Sequence, residues 1–91
     1  MHWKLFADLA EVAGDREVDV DVEADAPTVD DALSALLDAY PALEPRVLTD
    51  AGKLEPHLNL LKNGEQIGEP GLSTPVDEGD ELALFPPVSG G

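Results

Sequence analysis

The residues with the most direct chemistry stand last in the chain, where Phe85, Pro86, Pro87 and Val88 are followed by Ser89, Gly90 and Gly91. Neither Pro86 nor Pro87 offers a backbone N–H, so a β-ladder stops there, and their rings stiffen the exit. Gly90 and Gly91 then present no side chain. Such a pair threads a channel too narrow for any Cβ and adopts backbone angles that other residues avoid. The α-carboxylate of Gly91 is ionised at neutral pH and is a nucleophile toward the α-phosphate of ATP. The resulting acyl-adenylate can pass its acyl group to sulfur or to an amine. The spacing therefore predicts a domain over residues 1–86 and a short flexible tail over 87–91.

Other chemistry is scarce. The chain has no cysteine, which removes disulfides, thiolate metal sites, iron–sulfur ligation of the ferredoxin kind and a thiol nucleophile. His2 and His57 have no serine or acid set beside them by local spacing, so neither a catalytic pair nor a metal site is expected. No nucleophile–base set appears, and the chain does not read as an enzyme in its own right. Glu17, Asp19, Asp21 and Glu23 recur at every second position, which splays carboxylates along a solvated strand face instead of converging them on an ion.

Twenty Asp and Glu against five Lys and Arg give a formal net charge of -15. Phosphate contacts need a basic surface, so nucleic acid is not an expected partner. Disorder is also disfavoured, because 43% of the residues are hydrophobic and they are periodically placed. An acidic skin on a folded domain suits high salt, where counter-ions screen self-repulsion. No stretch has the length of a membrane span. The start, Met1-His2-Trp3-Lys4, lacks the pattern of a signal peptide, and the expected location is the cytoplasm.

A chain of 91 residues supports one domain, whose elements must hold the tail. Residues 2–7 read as a strand with Trp3, Leu5 and Ala7 on one face and Lys4, Phe6 and Asp8 on the other. Residues 10–13 suggest a helical turn closed by Gly14. Residues 17–23 alternate acids with Val18, Val20 and Val22 and read as a second strand. Thr28 and Asp31 form a capping-box pattern before a helix whose apolar stripe is Val29, Ala32, Leu33, Leu36, Leu37 and Tyr40. Pro41 ends that pattern, and Leu43, Val47 and Leu48 are expected beneath the loop that follows. Residues 57–62 read as a strand with Leu58 and Leu60 inward and Asn59 and Leu61 outward. Asn63-Gly64 signals a tight hairpin, with residues 65–67 pairing back. Residues 69–76 read as loop, 77–80 as a turn, and 81–85 as a last strand with Leu82 and Leu84 inward. This order predicts an α+β domain, a mixed sheet crossed by one main helix, as in the β-grasp arrangement. Parity places Phe6 and Phe85 outward, as an aromatic patch beside the tail, with Leu61 a weaker member; the competing expectation is that residues 41–56 cover them.

The closing run Asp77-Glu78-Gly79-Asp80-Glu81-Leu82-Ala83-Leu84-Phe85-Pro86-Pro87-Val88-Ser89-Gly90-Gly91 resembles the end of the ubiquitin-like sulfur carriers of the MoaD and ThiS type. Leu5-Phe6-Ala7, the Thr28-Val29 helix start and the Asn63-Gly64 turn fall where that family has similar features, so the resemblance spans nearly the whole chain. With the acidic balance, the opening Trp3-Lys4-Leu5-Phe6-Ala7-Asp8-Leu9-Ala10-Glu11-Val12-Ala13-Gly14 is similar to the small archaeal modifier proteins of halophilic archaea.

The resemblance implies that an E1-like enzyme adenylates the Gly91 carboxylate with ATP and Mg²⁺ as co-substrates, no cofactor being bound by the chain itself. The activated end then becomes a thiocarboxylate that serves the large subunit of molybdopterin synthase, or an isopeptide on lysines of target proteins. It also implies partner contacts at Phe6 and Phe85, beside Pro86, Pro87, Val88 and Leu61, and a monomer when free. Lys4, Lys53 and Lys62 are possible acceptors of a modifier, and the sequence does not choose among them. The alternative is a β-grasp binding module with an incidental Gly-Gly tail.

Overall fold

The apolar positions along the chain fix which faces must be covered. The computed structural model describes residues 1–67 and 69–86. The strands are β1 (His2–Leu5), β2 (Glu17–Asp19), β3 (Asn59–Lys62), β4 (Glu65–Gln66) and β5 (Glu81–Phe85), and the helices are α1 (Asp8–Ala13), α2 (Val29–Ala39) and α3 (Glu44–Val47). The five strands form one mixed sheet in the order β2-β1-β5-β3-β4. The central pair β1–β5 is parallel, with Trp3 opposite Leu82 and Leu5 opposite Leu84, and the other pairs are antiparallel.

Alternation on β1, β3 and β5 sends Trp3, Leu5, Leu60, Leu82 and Leu84 to one face, where all are buried. α2 covers that face with Val29, Ala32, Leu33 and Leu36. Burying each of the larger aliphatic side chains is worth about 1.5–3 kcal/mol. The helix starts where its sequence dictates. Thr28 Oγ1 accepts from the Asp31 N–H at 3.3 Å, and Asp31 Oδ2 accepts from the Thr28 N–H at 3.0 Å, satisfying two donors that the first turn leaves free. Leu37 and Tyr40 of the expected stripe are half-buried at its margin. With the strands arranged around one main helix, the β-grasp expectation holds.

Several boundaries differ from the sequence-based expectation. The first strand ends at Leu5, not at residue 7. Ala7 takes φ 54°, an unfavourable conformation for a residue with a Cβ, and turns the chain into α1. That helix starts two residues before the expected turn and closes on Gly14 at φ 90°, as glycine there allows. The second strand is paired over Glu17–Asp19 rather than 17–23. Its last rung is the Val20 N–H to the Met1 carbonyl at 3.0 Å, and residues 21–23 face no strand. Val18 and Val20 are buried, but Val22 is half-buried.

Residues 41–56 are more regular than a loop. Pro41 begins the 3-10 turn Pro41–Leu43, and α3 follows with Pro45 in its first turn. Leu43, Val47 and Leu54 are buried in the main core, with Leu48 half-buried. The third strand begins at Asn59, although Leu58 still points inward. The stretch 69–76 contains the 3-10 turn Glu69–Ser73. Gly71 within it lies so close to Ile67 that a Cβ would collide with that side chain.

Candidate docking corner and carrier terminus

Residues of opposite parity to the core populate the uncovered side of the sheet. On β1 these are His2 and Lys4, with Phe6 just past the strand; on β5 they are Glu81, Ala83 and Phe85; on β3 they are Asn59 and Leu61. Because β1 and β5 run parallel in register, Phe6 and Phe85 emerge side by side at the same end of the sheet. Their rings stack with centroids 4.0 Å apart and an interplanar angle of 22°. An aromatic pair of this kind is worth about 0.5–1.5 kcal/mol beyond the area it buries. The stack is still open to solvent. Phe6 is 37% exposed, and Phe85 is half-buried.

The register extends this corner. Asn59 lies opposite Phe85, and Leu61 opposite Ala83, so Leu61 sits diagonally from the Phe85 ring and is itself half-buried. Gln66 Nε2 donates to Asn59 Oδ1 at 2.9 Å and closes a polar rim on that side. On the other side Lys4 is held by Glu81 at 3.4 Å. Residues 41–56 send Leu43, Val47 and Leu54 into the core, and Phe6 keeps its exposure.

The strained Ala7 stands directly after Phe6. Asp8, expected outward on a continuing strand, opens α1 instead and pairs with Arg46 of α3. The backbone therefore turns sharply at Phe6 and is anchored just beyond it. Such strain costs of order 1–3 kcal/mol and is retained where the surroundings enforce it.

β5 ends at Phe85, and Pro86 follows half-buried. The expected conduit and reactive end, Pro87, Val88, Gly90 and Gly91, lie outside the described residues. Of the acceptor lysines, Lys4 and Lys62 are ion-paired, with Lys62 Nζ 3.7 Å from Asp80 Oδ2, whereas Lys53 is exposed on the segment between α3 and β3. Among the described residues no three His, Cys, Asp or Glu side chains are grouped to hold a metal, and no helix is long and apolar enough to cross a membrane.

Two polar clamps were not anticipated from the sequence. His2 Nδ1 lies 3.0 Å from Asp19 Oδ1 and Nε2 lies 2.9 Å from Glu17 Oε1. These hydrogen bonds, to Asp19 foremost and then Glu17, raise the imidazole pKa above its usual 6.5. The signal in the sequence was the acid row itself, which needed only the β1–β2 register to meet His2. At the hairpin, Asn63 donates through Nδ2 to Asp80 Oδ1 at 2.9 Å and accepts the Glu81 N–H at 2.9 Å. The bond from Asn63, then that from the Asp77 N–H, holds the Asp80 carboxyl below the usual carboxylate range.

The comparisons with known proteins agree with this architecture. The model of the ThiS family matches residues 3–91. Small archaeal modifier protein 1 of Haloferax volcanii is 63% identical over 91 residues, covering 100% of both chains. Small archaeal modifier protein 3 of the same organism is 40% identical over 89 residues, 97% of this chain and 95% of that one. A crystal structure of SAMP1 from Haloferax volcanii aligns with a TM-score of 0.84 at 59% identity, over 100% of this chain and 98% of that chain. A β-grasp sheet with its aromatic corner, matched along nearly its whole length, belongs to the ThiS family of ubiquitin-like sulfur carriers and small modifiers.

Proposed function

We propose that this chain is a ubiquitin-like modifier and sulfur carrier whose working group is the carboxylate of Gly91. An E1-like enzyme docks on the Phe6–Phe85 corner, receives the tail through Pro86, Pro87 and Val88, and adenylates Gly91 using ATP and Mg²⁺. The carboxylate oxygen attacks the α-phosphorus, and pyrophosphate leaves. The adenylate then has two fates. A sulfide-level sulfur nucleophile attacks the acyl carbon, the C–O bond to phosphate breaks and AMP leaves, giving a thiocarboxylate that serves the large subunit of molybdopterin synthase. Alternatively, a lysine amine of a target protein captures the acyl group as an isopeptide. Catalysis belongs to the partner enzymes. The chain supplies a recognised surface and a slender, reactive end, works in the cytoplasm, and is a monomer when free.

One observation carries this reading. β5 ends at Phe85, whose ring stacks on Phe6 on the side of the sheet opposite α2. Exposed apolar surface on a highly charged domain is a mark of an interface, and Phe85 is the last residue of the sheet before the closing segment of the sequence. The test is deletion of Gly90 and Gly91, measured by ATP–pyrophosphate exchange with the E1-like enzyme of the same organism. The full chain is expected to support exchange, and the shortened chain to support none while melting at the same temperature. Unchanged partner behaviour after the deletion would favour a binding module with an incidental tail.

A further inference from the structure

A protein that is joined to lysines also carries lysines of its own, and the structure separates its three, Lys4, Lys53 and Lys62. We infer that Lys53 is a modification site, the acceptor through which the activated Gly91 of a second copy forms a covalent dimer. The inference rests on the proposed activation of Gly91.

An acceptor amine must reach an acyl-adenylate held at an enzyme's active site, with its lone pair free and its stem unobstructed. Lys4 is poorly placed for this. It lies two residues before Phe6 on the same face of β1, and it lines the groove that also contains Phe6. An enzyme seated on the Phe6–Phe85 corner covers it, and Glu81 holds its amine at 3.4 Å. Lys62 is also constrained. It shares the inward parity of Leu60, so its stem runs along the covered face of the sheet and only 24% of the side chain is exposed. Its amine emerges onto Asp80, which is itself fixed by Asn63 and by the Asp77 N–H.

Lys53 differs on each count. It is exposed, and among the described residues its amine makes no ion pair or hydrogen bond. It belongs neither to the uncovered sheet face nor to the groove beside Phe6. Its backbone, by contrast, is fixed. The Thr49 N–H donates to the Lys53 carbonyl at 2.7 Å, the Gly52 N–H to the Thr49 carbonyl at 2.9 Å, and the Lys53 N–H to Thr49 Oγ1 at 3.3 Å. Leu54 beside it is buried and bridges back to Leu48. A firm turn thus presents one unencumbered amine, and ordering the turn adds no entropy cost at the moment of reaction.

The step balances without a redox partner. The Lys53 ammonium gives one proton to solvent, its lone pair attacks the Gly91 carbonyl carbon of the adenylate, and the nitrogen gives up a second proton to solvent as the amide forms. The new C–N bond forms as the C–O bond to phosphate breaks, and AMP leaves with that electron pair. ATP supplies the adenylate.

The experiment combines the purified chain, the E1-like enzyme of the same organism, ATP and Mg²⁺, and reads both ATP–pyrophosphate exchange and the branch position by mass spectrometry of the proteolysed products. Wild type is expected to yield a dimer branched at Lys53. Lys53→Arg, which keeps charge and fold, is expected to lose the dimer and keep full exchange. The variant Lys62→Arg, away from the Phe6–Phe85 corner, is expected to retain both. A dimer that persists in Lys53→Arg with its branch at Lys4 or Lys62 overturns the inference, as does normal exchange with no dimer. Absence of exchange in wild type overturns the activation reading beneath it, and the inference with it.

Discussion

At its Glu81 end β5 is held by polar groups on both sides, while at its Phe85 end it meets an aromatic ring and open solvent. The Asn63 side chain bonds both Asp80 and the Glu81 N–H, and the Asn63 N–H donates to the Glu81 carbonyl at 2.8 Å. Asn63 and Gly64, with φ of 51° and 86°, make the tight turn that brings this about. Four residues along the same strand, the outward side chain is Phe85, stacked on Phe6 and leading toward the tail. One end spends its polar chemistry on closing the fold. The other leaves apolar surface unspent, available for the proposed docking of an activating enzyme.

If that division is correct, damage at the closed end should reduce stability and leave activation per folded molecule intact. Leu82 is fully buried near that end, and Leu82→Ala is expected to cost about 2–5 kcal/mol in denaturant unfolding. A folded fraction that is activated at a reduced rate would blur the comparison. Asn63→Ala tests the clamp itself. Holding alanine in the left-handed region costs roughly 1–2 kcal/mol, and the side-chain hydrogen bonds are lost as well. Asn63→Gly should recover the backbone part alone, so equal unfolding energies for the two variants would show that the turn is not the source.

Damage at the open end should behave in the reverse manner. Phe6→Ala loses the stack, worth about 0.5–1.5 kcal/mol, and is expected to lower kcat/KM for adenylation more than it lowers stability. Activation that tracks the folded fraction would make Phe6 a structural residue. The smallest effect belongs to His2 at the start of β1. Its pKa is raised by Asp19 and Glu17, so its contribution is complete below the usual value of 6.5 and fades as pH rises through the higher folded value. An exposed pair of this type is worth about 0.2–1 kcal/mol. The melting temperatures of wild type and His2→Gln should therefore converge as the pH rises, and a gap that widens instead would reverse the sign.

Much of this arrangement was legible where a local rule had no competitor. Thr28 and Asp31 marked the start of α2, Asn63-Gly64 marked the hairpin, and parity sent Phe6 and Phe85 outward. Local rules failed where partner geometry decides. The acid–valine alternation continues to residue 23, but pairing with β1 covers only Glu17–Asp19 and the Val20 N–H. Pro41 is a helix breaker after α2's pattern and also a good first residue for the next turn, so the sequence alone does not distinguish a loop from the regular structure over 41–47. The strain at Ala7 has no composition signal. Parity likewise could not show that Phe6 and Phe85 touch, because their contact depends on the parallel register of β1 with β5, a non-local pairing.

Chemical use of the Gly91 carboxylate is tested most directly by intact-mass and peptide mass spectrometry of the chain isolated from its native cells. It predicts a fraction in which one terminal oxygen is replaced by sulfur, together with branched peptides that join Gly91 to lysines of other proteins. A chain found as the free acid alone under every growth condition would contradict it.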